Sequence, residues 1–123
     1  MGPRPAPEPH LFQDRNGAAA TAGSRDDEAR MVVGLLQLLL AIPGAMSLKD
    51  KRRAIRSLKD RLGARHNISL AEVDHLDEHR RSVVAIVMVS NDRRFTESCL
   101  SKIVDEVRNH RLVSILDYGV EWL

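Results

Sequence analysis

The chain has 123 residues, a formal charge of +2 and an apolar fraction of 43%, with a pI near 9.0. This is enough for one ordinary domain and too little for two, and attraction to nucleic acid must come from local clustering of charge, not from the total. A single cysteine, Cys99, excludes an internal disulfide and a cysteine-only metal site. Aromatics make up only 3%, so the core must be built from Leu, Ile and Val.

In chain order, residues 1–30 come first. They are rich in Pro, Gly and Ala (PRPAPEP, GAAATAG) and poor in large apolar residues. Such a segment cannot bury enough surface to offset its ordering entropy. It is expected to be a disordered tail, or an extension upstream of a true start at Met31. The run Val32–Ile42 follows, apolar on both faces, which reads as a strand buried on both sides. It is too short to span a bilayer and no signal peptide precedes it, so a cytoplasmic protein is expected. Pro43-Gly44 ends the strand.

Residues 47–65 read as a helix. Ser47 is the N-cap, and Asp50 stands three residues on, where a capping box prefers Glu. A strand over 67–76, a turn at Asp77-Glu78-His79 and a β-branched strand over 80–90 come next. A second helix spans 92–110 with Ser90-Asn91-Asp92 as its capping region. A last strand spans 112–123, with Leu116, Tyr118, Val120 and Trp122 predicted on one face and Asp117, Gly119 and Glu121 on the other. The order βαββαβ predicts a ferredoxin-like α+β domain over 31–123: a four-stranded antiparallel sheet with both helices on one face. The uncovered face is expected to meet a partner, a homodimer being the simplest.

The first helix carries the strongest chemical signal. In SLKDKRRAIRSLKDRL the two SLKD copies are rotated by about 280° at roughly 100° per residue, so they are not a structural repeat. Leu48, Ile55, Leu58 and Leu62 form an apolar stripe. Lys49, Arg52, Arg53, Arg56 and Lys59 form a contiguous cationic sector of about 120°, interrupted only by Asp60. Such a sector is a candidate phosphate-contacting surface. The two inner strands hold no aromatic side chain, so any RNA role would run through backbone and shape, without base stacking and without DNA sequence specificity.

Lys51 stands on the apolar stripe. One expectation is that its methylenes follow the sheet edge and its ammonium stays in water. The other is an anion site built from Ser47 and Lys51 at the helix N-terminus. The segment AEVDHLDEH offers Glu72, Asp74 and His75 as weak metal or acid–base candidates, although strand alternation points His75 away from the other two. His66 and His110 each follow a helix, where an imidazolium would suit the dipole. Cys99 reads as a packing residue. No nucleophile elbow, P-loop or dinucleotide fingerprint is present.

The stretches IPGAMSLKDKR, AEVDH and VSND together resemble the YlxP-like family, a bacterial domain of unknown function (503), over about residues 31–123. The resemblance implies a small cytoplasmic ferredoxin-like protein whose gene often lies among translation and ribosome-maturation genes. It transfers no residue role. The sequence therefore reads as a non-enzymatic accessory protein that contacts structured or ribosomal RNA through the basic helix face, with no catalytic residue and no cofactor assigned. The alternatives are an anion-binding or metal-assisted enzyme using Lys51 with Glu72, Asp74 and His75, and an interaction module using the open sheet face.

Overall fold

The computed structural model describes residues 30–123. The expectation for residues 1–30 falls, except at Arg30, outside the described residues. The elements are β1 (Val32–Ala41), α1 (Leu48–Arg65), β2 (Ser69–Asp74), β3 (Arg81–Ser90), α2 (Arg93–Arg108) and β4 (Ser114–Trp122). The strands form one antiparallel sheet in the order β2-β3-β1-β4. With both helices packed on one side, this is the ferredoxin-like α+β fold. Among the described residues, no helix is long and apolar enough to cross a membrane.

Alternation on the central strands sorts the side chains. Leu36, Leu38 and Leu40 of β1 lie opposite Ile86, Val84 and Ser82 of β3. Leu36, Leu38, Leu40, Val84 and Ile86 form a buried aliphatic core with Leu58, Leu62, Leu100, Ile103 and Val107 of the helices. Val33, Leu35 and Leu39 project to the opposite face, opposite Val89, Val87 and Val83. Gly34 lets α2 approach β1: a Cβ there would lie 2.9 Å from Thr96, 3.0 Å from Leu100 and 3.1 Å from Trp122.

Both helices are capped as the sequence predicts. Ser47 Oγ accepts from the amide of Asp50 at 3.1 Å. The Asp50 carboxylate accepts from the amide of Met46 at 2.9 Å, so the box closes one residue upstream of the cap. Asp92 Oδ1 accepts from the amide of Phe95 at 3.1 Å, and Ser90 Oγ meets Thr96 Oγ1 at 2.6 Å.

Three boundaries and one face differ from expectation. β2 is shorter than 67–76 because the chain turns out of the sheet at His75, which adopts a φ of 59°. The hairpin turn therefore begins at His75, ahead of Asp77. α2 stops at Arg108, short of 110. β4 begins at Ser114, and a register shift against Leu39/Leu40 interrupts its alternation. Ile115, not Leu116, lies opposite Leu40, and Leu116 is left 48% exposed. An inserted residue breaks period-two counting at a bulge.

Candidate functional site

The surface of α1 and the hairpin beneath it hold the predicted site residues. Lys49, Arg52, Arg53, Arg56 and Lys59 are all exposed. Among the described residues, no carboxylate forms an ion pair with any of them. Where α1 overhangs the outer strand β2, a shallow groove is lined by Arg52, Ile55, Arg56, Lys59, Asp60 and Glu72. The cations come from successive turns of one helix, about 5.4 Å apart along its axis.

Lys51 corrects the expectation of an ammonium in water. The residue is 1% exposed. Its Nζ lies 2.7 Å from Glu72 Oε2 and donates to the carbonyl of His75 at 2.8 Å, with those of Arg81 at 3.3 Å and Leu76 at 3.4 Å also within reach. Ser82 Oγ donates to the same Glu72 oxygen at 2.7 Å. The ammonium is thus saturated inside the protein, as a buried charge must be, and its positive charge is matched by Glu72. Ser47 and Lys51 do not converge: the hydroxyl caps the helix, and the ammonium points to the β2–β3 hairpin.

The hairpin supplies this cradle through its backbone. The positive φ of His75 is supported by Asp74 Oδ1, which accepts from the His75 amide at 2.7 Å, and by the Glu78 amide donating to the His75 carbonyl at 3.1 Å. The buried His75 ring contacts Glu78 through Nδ1. The three side chains therefore do not converge: Glu72 meets Lys51 and Ser82, Asp74 accepts from the His75 amide, and the His75 ring meets Glu78. Among the described residues, no group of three or more His, Cys, Asp or Glu is arranged to hold a metal ion.

Sequence reasoning missed this network although both charged members carried a signal. Lys51 sits on an apolar stripe, and Glu72 shares the helix-side face of β2 with Leu70. Two opposite charges at inward positions of adjacent elements are a pairing signal, but only the packing of α1 on β2 joins them.

The histidines after the helices diverge. His66 Nε2 meets Glu106 Oε2 at 2.5 Å and ties the C-terminal ends of the two helices together. His110 is 5% exposed. Its Nδ1 accepts from the Leu112 amide at 3.3 Å, and its Nε2 lies 3.3 Å from Ser57 Oγ. Burial, then the nearby charges of Arg61 and Arg111, hold its pKa below the ordinary value. The expected imidazolium is thus corrected: burial and the two arginines disfavour the protonated ring, and its Nδ1 serves as an acceptor. Cys99 packs against the core, as expected.

The fold and the surface chemistry define a small ferredoxin-like domain with a basic helix. The family model described as "Protein of unknown function (DUF503)" matches residues 33–120, and the chain belongs to that family. A curated relative, "Uncharacterized protein YlxP" of Bacillus subtilis (strain 168), is 29% identical over 73 residues, covering 59% of this chain and 79% of the relative. Among solved structures, a C-terminal segment of the alpha subunit of aIF2 from Pyrococcus abyssi aligns with a TM-score of 0.44 at 15% identity. That alignment covers 80% of this chain and 53% of the other.

Proposed function

We propose that this protein is a non-enzymatic accessory factor that contacts structured RNA, ribosomal RNA foremost, through phosphates held by Lys49, Arg52, Arg53, Arg56 and Lys59. The observation that carries this reading is an exposed cationic face interrupted by Asp60 alone, on which none of the five basic side chains forms an ion pair among the described residues. Surface arginines whose partners lie within the fold are already neutralised; these are not, and phosphate oxygens are their natural ligands. Lys51 strengthens the same face indirectly. By neutralising Glu72 at 2.7 Å, it leaves Asp60 as the uncompensated acid among the groove-lining residues.

The recognition would be of backbone and shape. β1 and β3 carry no aromatic residue, and the exposed aromatics Phe95 and Tyr118 lie on α2 and β4. Single-strand binders need stacking platforms beside their cations; this surface has none, which favours folded RNA.

The test is binding of the full chain to ribosomal RNA across a salt series. Arg53→Glu combined with Arg56→Glu should weaken binding by at least tenfold at low salt and flatten the salt slope by about two phosphate contacts. Equal affinity and equal slope for wild type and variant would defeat the proposal.

A further inference from the structure

We propose that Arg61 and Arg111, brought together over the seam between α1 and α2, form a second phosphate site with the Ser57 hydroxyl, and that the RNA backbone runs onto it from the basic face of α1. The inference rests on the RNA reading above and extends its surface to a segment far away in the chain.

One contact builds the site. Nε2 of the buried His110 lies 3.3 Å from Ser57 Oγ, which sets the turn after α2 against the middle of α1. Arg111 follows His110 in that turn. Arg61 lies one helical turn beyond Ser57, about 6 Å away in the same row. Both arginines are exposed, and among the described residues neither forms an ion pair. The carboxylates at this end of α2 are committed elsewhere: Glu106 meets His66 at 2.5 Å and Arg65 at 3.7 Å, and Asp105 meets Arg108 at 3.6 Å. The carbonyls of Asp105, Glu106 and Val107 at the helix end accept from the amides of Asn109 and His110. Two guanidiniums thus flank one contact with no carboxylate paired to either. Their charge reaches the His110 ring, whose protonation is disfavoured first by burial and then by Arg61 and Arg111.

The hydroxyl is prepared as a donor. His110 Nδ1 accepts from the Leu112 amide at 3.3 Å. A neutral imidazole that accepts at one nitrogen carries its proton on the other, so Nε2 donates to Ser57 Oγ. The hydroxyl makes no other hydrogen bond among the described residues, which leaves its own proton for an incoming oxygen. His110 is therefore a positioning residue, orienting Ser57 from beneath. Two planar guanidiniums and a hydroxyl suit the several acceptor oxygens of a phosphate. The site also joins the surface already described. Arg53, Ser57 and Arg61 occupy successive turns of one row on α1, and Arg53 belongs to the cationic sector. Arg53 and Arg61 stand about 12 Å apart along the axis, so one backbone lying along the row meets both.

Binding of the full chain to ribosomal RNA across a salt series tests the site. Arg61→Glu combined with Arg111→Glu should weaken binding by about tenfold or more at low salt and lower the salt slope by about two contacts. Arg61→Lys with Arg111→Lys keeps the charge and should keep the slope; a Lys pair as weak as the Glu pair would assign the arginines to the fold and overturn the site. Arg94→Glu with Lys102→Glu makes the same change of charge on the outer face of α2 and should stay within about threefold of wild type. An equal loss there would show a response to total charge and overturn the site too. Wild-type binding by the Arg61, Arg111 variant beside a loss in Arg53→Glu, Arg56→Glu defeats this site and leaves the RNA reading standing. Wild-type binding by both defeats both.

Discussion

Lys51 is a buried charge whose effect on folding depends on completeness. With Glu72 and three carbonyls around it, its desolvation is offset. Removing it alone takes the close cation from a mostly buried carboxylate and leaves the Ser82 hydroxyl as its donor. Lys51→Met should therefore cost about 3 kcal/mol of unfolding free energy, read from urea midpoints, and Lys51→Met with Glu72→Gln should recover part of the loss. Equal stability of Lys51→Met and wild type would show that the pair is worth nothing to the fold. His110 makes the pH-dependent counterpart. Its folded pKa lies below the ordinary value of 6.5, so the unfolded chain takes up the proton first as pH falls. The linkage slope follows the excess of protons bound by the unfolded state. The stability His110 contributes is fully present above pH 6.5 and is lost as pH falls through the folded pKa. The stability difference between wild type and His110→Gln should stay constant above neutrality and shrink toward pH 5. A difference that grows on acidification would contradict a neutral buried ring.

At the scale of elements, α2 owes its seat to what β1 lacks. A methyl group at Gly34 would press on Thr96, Leu100 and Trp122, all through side-chain atoms of a packed core. Gly34→Ala should destabilise by about 1–3 kcal/mol, because relief requires those side chains to leave their rotamers or α2 to lift. Thermal unfolding would register this as a lower Tm, and an unchanged Tm would mean that α2 has slack the packing does not show. The caps were legible in advance because they depend on residues three apart: Ser47 with Asp50, Asp92 with Phe95. The bulge in β4 was not. Nothing in SILDYGVEW marks the inserted residue; the register of β1 beside it does.

For the whole molecule, the two faces of α1 divide the work. The inner stripe of Ile55, Leu58 and Leu62 is buried in the core, while Arg53 and Arg56 are exposed and form no ion pair among the described residues. Surface substitutions away from caps and buried groups move stability little. The Arg53→Glu, Arg56→Glu variant should thus keep its unfolding free energy within about 0.5 kcal/mol of wild type while losing RNA affinity. Denaturant unfolding run beside the binding assay separates the two, and parallel loss of both would assign those arginines to the fold instead.

The sequence by itself determined the order of elements, their type and the faces of the central strands and of α1. Periodicity and capping are local, and a helix stripe or a β alternation is complete within a few residues. The family was legible for the same reason, being written in contiguous stretches. Only the tertiary structure decided where the singular side chains go. Lys51 meets its carbonyl partners 24 to 30 positions away, and His110 reaches Ser57 across 53. A local pattern flags such a residue as out of place on its stripe, but whether its charge ends in water, on a ligand or on a buried carboxylate depends on which element folds over it.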